Sequence, residues 1–267
     1  MKEEYIKIRR RKEESNLATL YREGTRPAIV FLHGFGSTKE DYSEAFRLPA
    51  FEDHELLAFD FPGCGASPKP STALSIEALV EITIGLVGHL EIERFCLVGH
   101  SMGGLVALLL ASSFPERVAS FSNIEGNLAE EDCFFSRQVR EHPTDDPEQF
   151  LHDLAQRVKA VDLAGFPLCG AGLVGKIDAT AAIQLLNSIF DQTEKGDLLE
   201  MFLRLPMPKQ FVYGEENEDL SYLKRLEEEG VVVSRIARSS HFPMYTNPDA
   251  MFDAISRFTN KLENCQA

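Results

Sequence analysis

No apolar run in this sequence is long enough to cross a bilayer: the longest, residues 105–111, is far short of the roughly 20 residues that a spanning helix requires. No membrane span is therefore expected. The opening residues, MKEEYIKIRR, also lack the apolar centre of a secretory signal. Cysteine is sparse and unpatterned. Cys64, Cys96, Cys133, Cys169 and Cys265 are odd in number, far apart and without a C-x-x-C pair, which speaks against a zinc site, a redox dithiol or a disulfide framework. They read as reduced thiols, and the expected compartment is the cytoplasm. Positive charge is scarce as well. The 27 Lys and Arg face 42 Asp and Glu, and the formal charge of −15 repels nucleic acid and anionic membranes. The one basic run, Arg9-Arg10-Arg11-Lys12, is flanked by Glu3, Glu4, Glu13 and Glu14, and reads as a solvated strand or turn. Internal repeats and low-complexity tracts are absent.

What is present is a globular composition, with 44% hydrophobic and 26% charged residues over 267 positions, enough for a sizeable core. Disorder, collagen and coiled coil are excluded. The first 25 residues suit two antiparallel strands joined around residues 12–16. Short β-rich runs then alternate with helical stretches: strands at 28–32, 56–59, 94–98 and 118–124, with helices from about Ser75 and over 104–114. In the first helix Leu79, Ile82, Leu86 and Leu90 share one face. Such alternation implies parallel strands with crossover helices, hence an α/β sheet. Between 127 and 204 the alternation stops, and helices broken at Pro143, Pro147, Gly165 and Pro167 are expected, as an inserted lid. It resumes with a strand at 209–213, a helix at 220–229 and a strand at 231–237. A final helix after Asn247-Pro248 carries Met251, Ile255, Phe258 and Leu262 on one stripe.

The chemistry centres on Gly99-His100-Ser101-Met102-Gly103, a G-x-S-x-G where a buried strand passes into a helix. A serine on so sharp a turn needs small residues two places before and after it, and the helix behind aims free N–H groups at an anion formed on attack. With His33-Gly34-Phe35-Gly36, the run Asp60-Phe61-Pro62-Gly63-Cys64-Gly65-Ala66-Ser67, and Ser240-His241-Phe242-Pro243, the sequence resembles the α/β-hydrolase fold superfamily over nearly its whole length. The resemblance implies a mostly parallel central sheet flanked by helices, with a helical cap inserted after the sixth strand. The core is then 1–126 and 205–267, and the cap 127–204. It further implies Ser101 as nucleophile, His241 as general base, and the backbone N–H groups of Phe35 and Met102 as an oxyanion hole. His33 and His100 are expected to be structural, and His54, His89, His142 and His152 to lie in polar settings.

The triad acid departs from the commonest family pattern, because Gly214-Glu215-Glu216-Asn217 carries asparagine where aspartate is usual. Asparagine cannot stabilise an imidazolium as a carboxylate does. Some resembling enzymes, the haloalkane dehalogenases among them, carry the acid after the preceding strand. Here Glu125 stands at that point, with Glu216, Glu218 or Asp219 as alternatives. Two nucleotide-binding look-alikes, the G-x-G-x-x-G of 170–175 and the phosphate-loop start at 170–176, fail on context: no central strand precedes them, and Ile177 replaces the magnesium-binding Ser or Thr.

The expected function is a serine hydrolase working through an acyl-enzyme, most simply a carboxylic-ester hydrolase, with no cofactor, no metal and a small acyl substrate. Thioester or carbon–carbon cleavage in the same site, or a slow-turnover ligand-binding member of the fold, are the other readings. The apolar side chains of 127–204, with Arg137 and Arg140 among them, leave substrate identity and oligomeric state open.

Overall fold

The computed structural model describes residues 2–10 and 13–264, with side chains for 2–9 and 14–261. The chain opens with a hairpin, β1 (Lys2–Arg10) and β2 (Glu13–Arg22). The connection is shorter than the sequence suggests, since 13–16 are already strand. Residues 11 and 12, and Cys265, lie outside the described residues. The charged stretch tolerates a strand because this is a sheet edge: Arg9 stands opposite Glu14, so unlike charges pair across it.

The chain continues through β3 (Arg26–Leu32), β4 (His54–Phe59), α1 (Ile76–His89), β5 (Phe95–His100), α2 (Met102–Ser113) and β6 (Val118–Ile124). Helices α3 (Gln138–Glu141), α4 (Pro147–Lys159), α5 (Phe166–Lys176), α6 (Ala179–Glu194) and α7 (Leu198–Arg204) precede β7 (Lys209–Gly214). Then come α8 (Leu223–Glu228), β8 (Val232–Ile236), α9 (Pro243–Thr246) and α10 (Pro248–Asn264). One eight-stranded sheet runs β1-β2-β4-β3-β5-β6-β7-β8. Strand β2 is antiparallel to both its neighbours, and every pair from β4 to β8 is parallel. Because β3 sends its successor to one side and β5 pairs on the other, the order reverses there. The carboxyl ends of β3 and β5 frame the crevice where such sheets bind ligands.

Local signals set the helices. Ser75 caps α1 by accepting from the Ala78 N–H at 3.2 Å, and Leu79, Ile82 and Leu86 face the core. Helix α2 is apolar on all sides and accordingly buried, packed on β5, β6, α1 and α7. It begins at Met102, two residues before the sequence suggests, because Gly103 and Gly104 serve close packing inside its first turn. Between β6 and β7, Pro147 and Pro167 stand in the first turns of α4 and α5, where a missing N–H is harmless. The G-x-G-x-x-G falls within α5. A Cβ on Gly170 would come 2.4 Å from the Lys159 backbone nitrogen, so that glycine serves the contact of α5 with α4. In α10, Met251, Ile255 and Phe258 are buried as expected, while the Leu262 side chain lies outside the described residues. Among the described residues no helix is long and apolar enough to cross a membrane.

Candidate active site

Ser101 links β5 to α2 with φ 50° and ψ −118°, a region that side chains other than glycine seldom occupy. The turn is held by tight packing. A Cβ on Gly99 would lie 2.4 Å from the Gly103 carbonyl oxygen, and one on Gly103 would lie 2.2 Å from that of Leu32. The Ser101 N–H donates to the Ile124 carbonyl at 2.9 Å, tying the elbow to β6. Behind it, the leading N–H groups of α2, starting with Met102, have no acceptor within the helix. Gly34 lies close by, since a Cβ there would be 3.3 Å from the Ser101 Cβ. That brings the loop carrying Phe35 beside the serine.

Two histidines brace this arrangement, as the sequence suggests. His33 Nε2 accepts from the Phe61 N–H at 2.9 Å, so Nδ1 carries the proton and donates to the Gly34 carbonyl at 2.8 Å. His100 Nε2 donates to the His241 carbonyl at 2.8 Å, and the two rings lie 4.9 Å apart. Burial holds both His33 and His100 below the ordinary histidine range, hence neutral. His54 corrects the expectation of a polar setting. It is fully buried at the start of β4, with its ring bonded to the Pro27 carbonyl at 2.9 Å and to Asn260 at 3.2 Å.

His241 follows β8 and is 4% exposed. Its Nε2 is buried without a hydrogen-bond partner among the described residues, and its Nδ1 lies 3.6 Å from Glu125 Oε2. Glu125 directly follows β6 with φ 50°, anchored by its own N–H to the Val212 carbonyl at 3.0 Å. Its Oε1 accepts from the Gly214 N–H at 2.7 Å, and Asn217 Nδ2 donates to both carboxylate oxygens at 3.0 Å. Burial pushes Glu125 up to about 7 against the pull of the Asn217 and Gly214 hydrogen bonds, and pushes His241 down to about 3. Each shift opposes charge on its own group. Opposite charges at 3.6 Å favour one another, so an imidazolium formed at His241 is stabilised by this carboxylate.

The other carboxylates considered for this place are engaged elsewhere or exposed. Glu216 Oε2 accepts from the Ala164 N–H at 3.1 Å, Glu218 faces Arg235 at 3.6 Å, and Asp219 is exposed. Over the histidine lies an aromatic cover. Phe134 meets its ring edge-on at 4.8 Å, Phe135 and Phe166 each stand 6.4 Å away, and Phe35 packs on Phe135 at 5.9 Å. Arg137 and Arg140 are paired with Glu130 at 3.2 Å and Asp191 at 3.1 Å, so both cations are already met within 127–204.

The run 60–67 is a clamp. Asp60 accepts from the Lys39 N–H at 2.8 Å and the Ala66 N–H at 2.9 Å, and the loop it shapes grips the joint between α5 and α6. There the Gly65 N–H reaches the Lys176 carbonyl and the Asp178 N–H the Gly63 carbonyl, both at 2.8 Å. A surface groove of about 340 Å³ between α2 and α7, lined by Ala111, Pro115, Met201 and Arg204, contains no histidine and is remote from this chemistry.

Sequence reasoning did not find the Asn217 contact with Glu125, which joins positions 92 apart. Nor did it find Asp132. That half-buried carboxyl accepts from the Leu128 and Ala129 N–H groups at 2.8 and 2.9 Å and from the Tyr222 hydroxyl at 3.0 Å, fixing the chain just after Glu125. No capping box announces it, because Ala129 has no side-chain oxygen to accept an N–H.

The chain is similar to known proteins in sequence and in fold. An uncharacterized protein of Mycobacterium tuberculosis (strain ATCC 25618 / H37Rv) is 24% identical over 270 residues, spanning 90% of this chain and 77% of its own. A carboxylesterase structure from Nitrososphaera gargenis superposes with a TM-score of 0.74 at 18% identity, covering 93% of this chain and 96% of the other. A thermophilic esterase from Thermogutta terrifontis gives 0.71 at 18% identity, covering 97% and 99%. Residues 29–254 match the pattern of the alpha/beta hydrolase family, and the chain belongs to it.

Proposed function

We propose that this protein is a serine hydrolase that cleaves carboxylic esters through an acyl-enzyme. The observation that carries the reading is a buried His241 whose Nδ1 faces Glu125 at 3.6 Å and whose ring lies 4.9 Å from that of His100, the neighbour of the strained Ser101 at a helix N-terminus. In this reading His241 Nε2 takes the Ser101 hydroxyl proton as the serine oxygen attacks the ester carbonyl. The resulting oxyanion is met by the N–H groups of Phe35 and Met102. The imidazolium, steadied by Glu125, returns the proton to the departing alkoxide. Water repeats the sequence on the acyl-enzyme to release the acid.

Segment 127–204 is the lid in this reading, with Phe134, Phe135 and Phe166 closing over His241. The remainder, 1–126 and 205–267, is the catalytic core. The solved esterases that share the fold support an ester substrate. Asn217, which stands where the commonest family pattern has the acid, hydrogen-bonds Glu125, and this favours turnover over the slow-turnover ligand-binding reading.

A fluorophosphonate probe tests the proposal. It should label wild type covalently at Ser101, and Ser101→Ala should abolish labelling and lower hydrolysis of an aryl-ester panel by several orders of magnitude. Undiminished labelling of the variant would exclude Ser101 as the nucleophile. Failure of wild type to hydrolyse any aryl or thio ester would return weight to ligand binding.

A further inference from the structure

We infer that Asn217 is a positioning residue, whose side-chain amide holds the Glu125 carboxylate toward His241. The inference deepens the triad reading and rests on it. Asn217 closes the short turn Glu215–Asn217 after β7, and that turn is anchored by the Glu216 N–H on the Ser239 carbonyl at 2.9 Å. Its amide therefore reaches Glu125 from a fixed backbone. Glutamate has one more rotatable bond than aspartate, and Glu125 approaches from the end of β6 on a backbone at φ 50°, so its carboxylate needs an external guide. Two donors supply it. Gly214 N–H fixes Oε1, and Asn217 Nδ2 spans Oε1 and Oε2, leaving Oε2 turned to His241 Nδ1.

The amide orientation follows from chemistry, because an ionised carboxylate only accepts and thus selects the NH₂ end of asparagine. Aspartate at 217 would instead set one carboxylate against another. In this site, then, the end of β7 steers the acid that the end of β6 supplies. The charged and titratable neighbours of Glu125 are His241 after β8, Asp132 from the chain after β6, Tyr213 on β7 and Tyr222 ahead of α8. Burial opposes the ionised form of Glu125, and the Asn217 amide works against it.

The test is the rate of fluorophosphonate labelling at Ser101 from about pH 5 to about pH 9, in wild type, Asn217→Leu, Asn217→Asp and Glu125→Gln. Asn217→Leu keeps the branched outline of the side chain and removes the donors. It should label about tenfold more slowly near neutrality, with the acidic limb of the profile moved up by about one pH unit and an unchanged melting temperature. Asn217→Asp should move the limb further in the same direction. A purely structural role would lower the melting temperature or scale the whole profile without moving its limb, and that result overturns the inference. So does an Asn217→Asp protein that matches wild type. Glu125→Gln separates the two claims. If it labels like wild type, the triad reading fails and takes this inference with it. If it labels at least a hundredfold more slowly while both Asn217 variants follow the wild-type profile, only the role of Asn217 is lost.

Discussion

Four carboxylates near the ends of β6 and β7 are candidates for the triad acid, and one side-chain contact separates them: Glu125 faces His241, while Glu216 and Glu218 point at Ala164 and Arg235. Glu125→Gln is accordingly expected to lower kcat on an aryl ester by about 10² to 10⁴, the scale seen when a triad loses its carboxylate. Glu216→Gln, Glu218→Gln and Asp219→Asn should each stay within about tenfold of wild type. Steady-state kinetics on the four purified variants decides, and a large loss at 216, 218 or 219 with none at 125 moves the acid to the end of β7. Legibility at this scale follows locality. Ser101, Gly99 and Gly103 announce themselves because the strain of the elbow is confined to five consecutive residues. Asn217 looked like a defect, since what it serves lies across the sheet edge on another strand. The burial of His54 is hidden for the same reason: its partners, Pro27 and Asn260, are distant in sequence.

Between β6 and β7, α4 packs on both α5 and α6, and a glycine marks the closest approach. Gly170 is the tightest, because a side chain there meets backbone on α4: Lys159 N at 2.4 Å and the Ala155 carbonyl oxygen at 2.8 Å. Backbone cannot rotate away, so Gly170→Val must push α5 from α4. Helix α5 also places Phe166 near His241 and Leu173 against Gly36. The variant should therefore become sensitive to proteolysis within 127–204 and alter its acyl-chain preference, at a cost of about 1–3 kcal/mol, while fluorophosphonate still labels Ser101. Loss of labelling with the core demonstrably folded would show that α5 takes part in the chemistry as well as covering it. Alternation of strand and helix made the sheet readable, and the prolines of 127–204 marked helix boundaries, Pro147 and Pro167 falling in first turns. The G-x-G-x-x-G in α5 misleads because close helix packing and phosphate binding both call for glycine.

Across the whole molecule the formal charge is −15, so ionising one more buried carboxylate at neutral pH adds to an existing excess of negative charge as well as forfeiting hydration. Glu125 titrates near 4.5 ordinarily and near 7 in the fold, with burial as the cause. Between those values the folded state binds the proton and the unfolded state does not. The contribution to stability is thus fully present below about pH 4.5 and lost as pH rises through about 7. At about 1.4 kcal/mol per unit, that loss is roughly 3 kcal/mol. His241 acts with the opposite sign. Pushed down from 6.5 to about 3, it withholds stability in acid and restores it by about pH 6.5, so the two partners largely offset one another between pH 4.5 and 6.5. Comparing wild type with Glu125→Gln separates them, because His241 and Asp132 remain in both proteins. Any constant cost of glutamine against Gly214 and Asn217 also drops out of the slope. Urea unfolding should show Glu125→Gln gaining on wild type by roughly 3 kcal/mol between about pH 4.5 and about pH 8. A gap that stays constant with pH would mean that Glu125 ionises at its ordinary value in the fold. A gap that grows identifies the carboxylate facing His241 as a place where stability is given up for function.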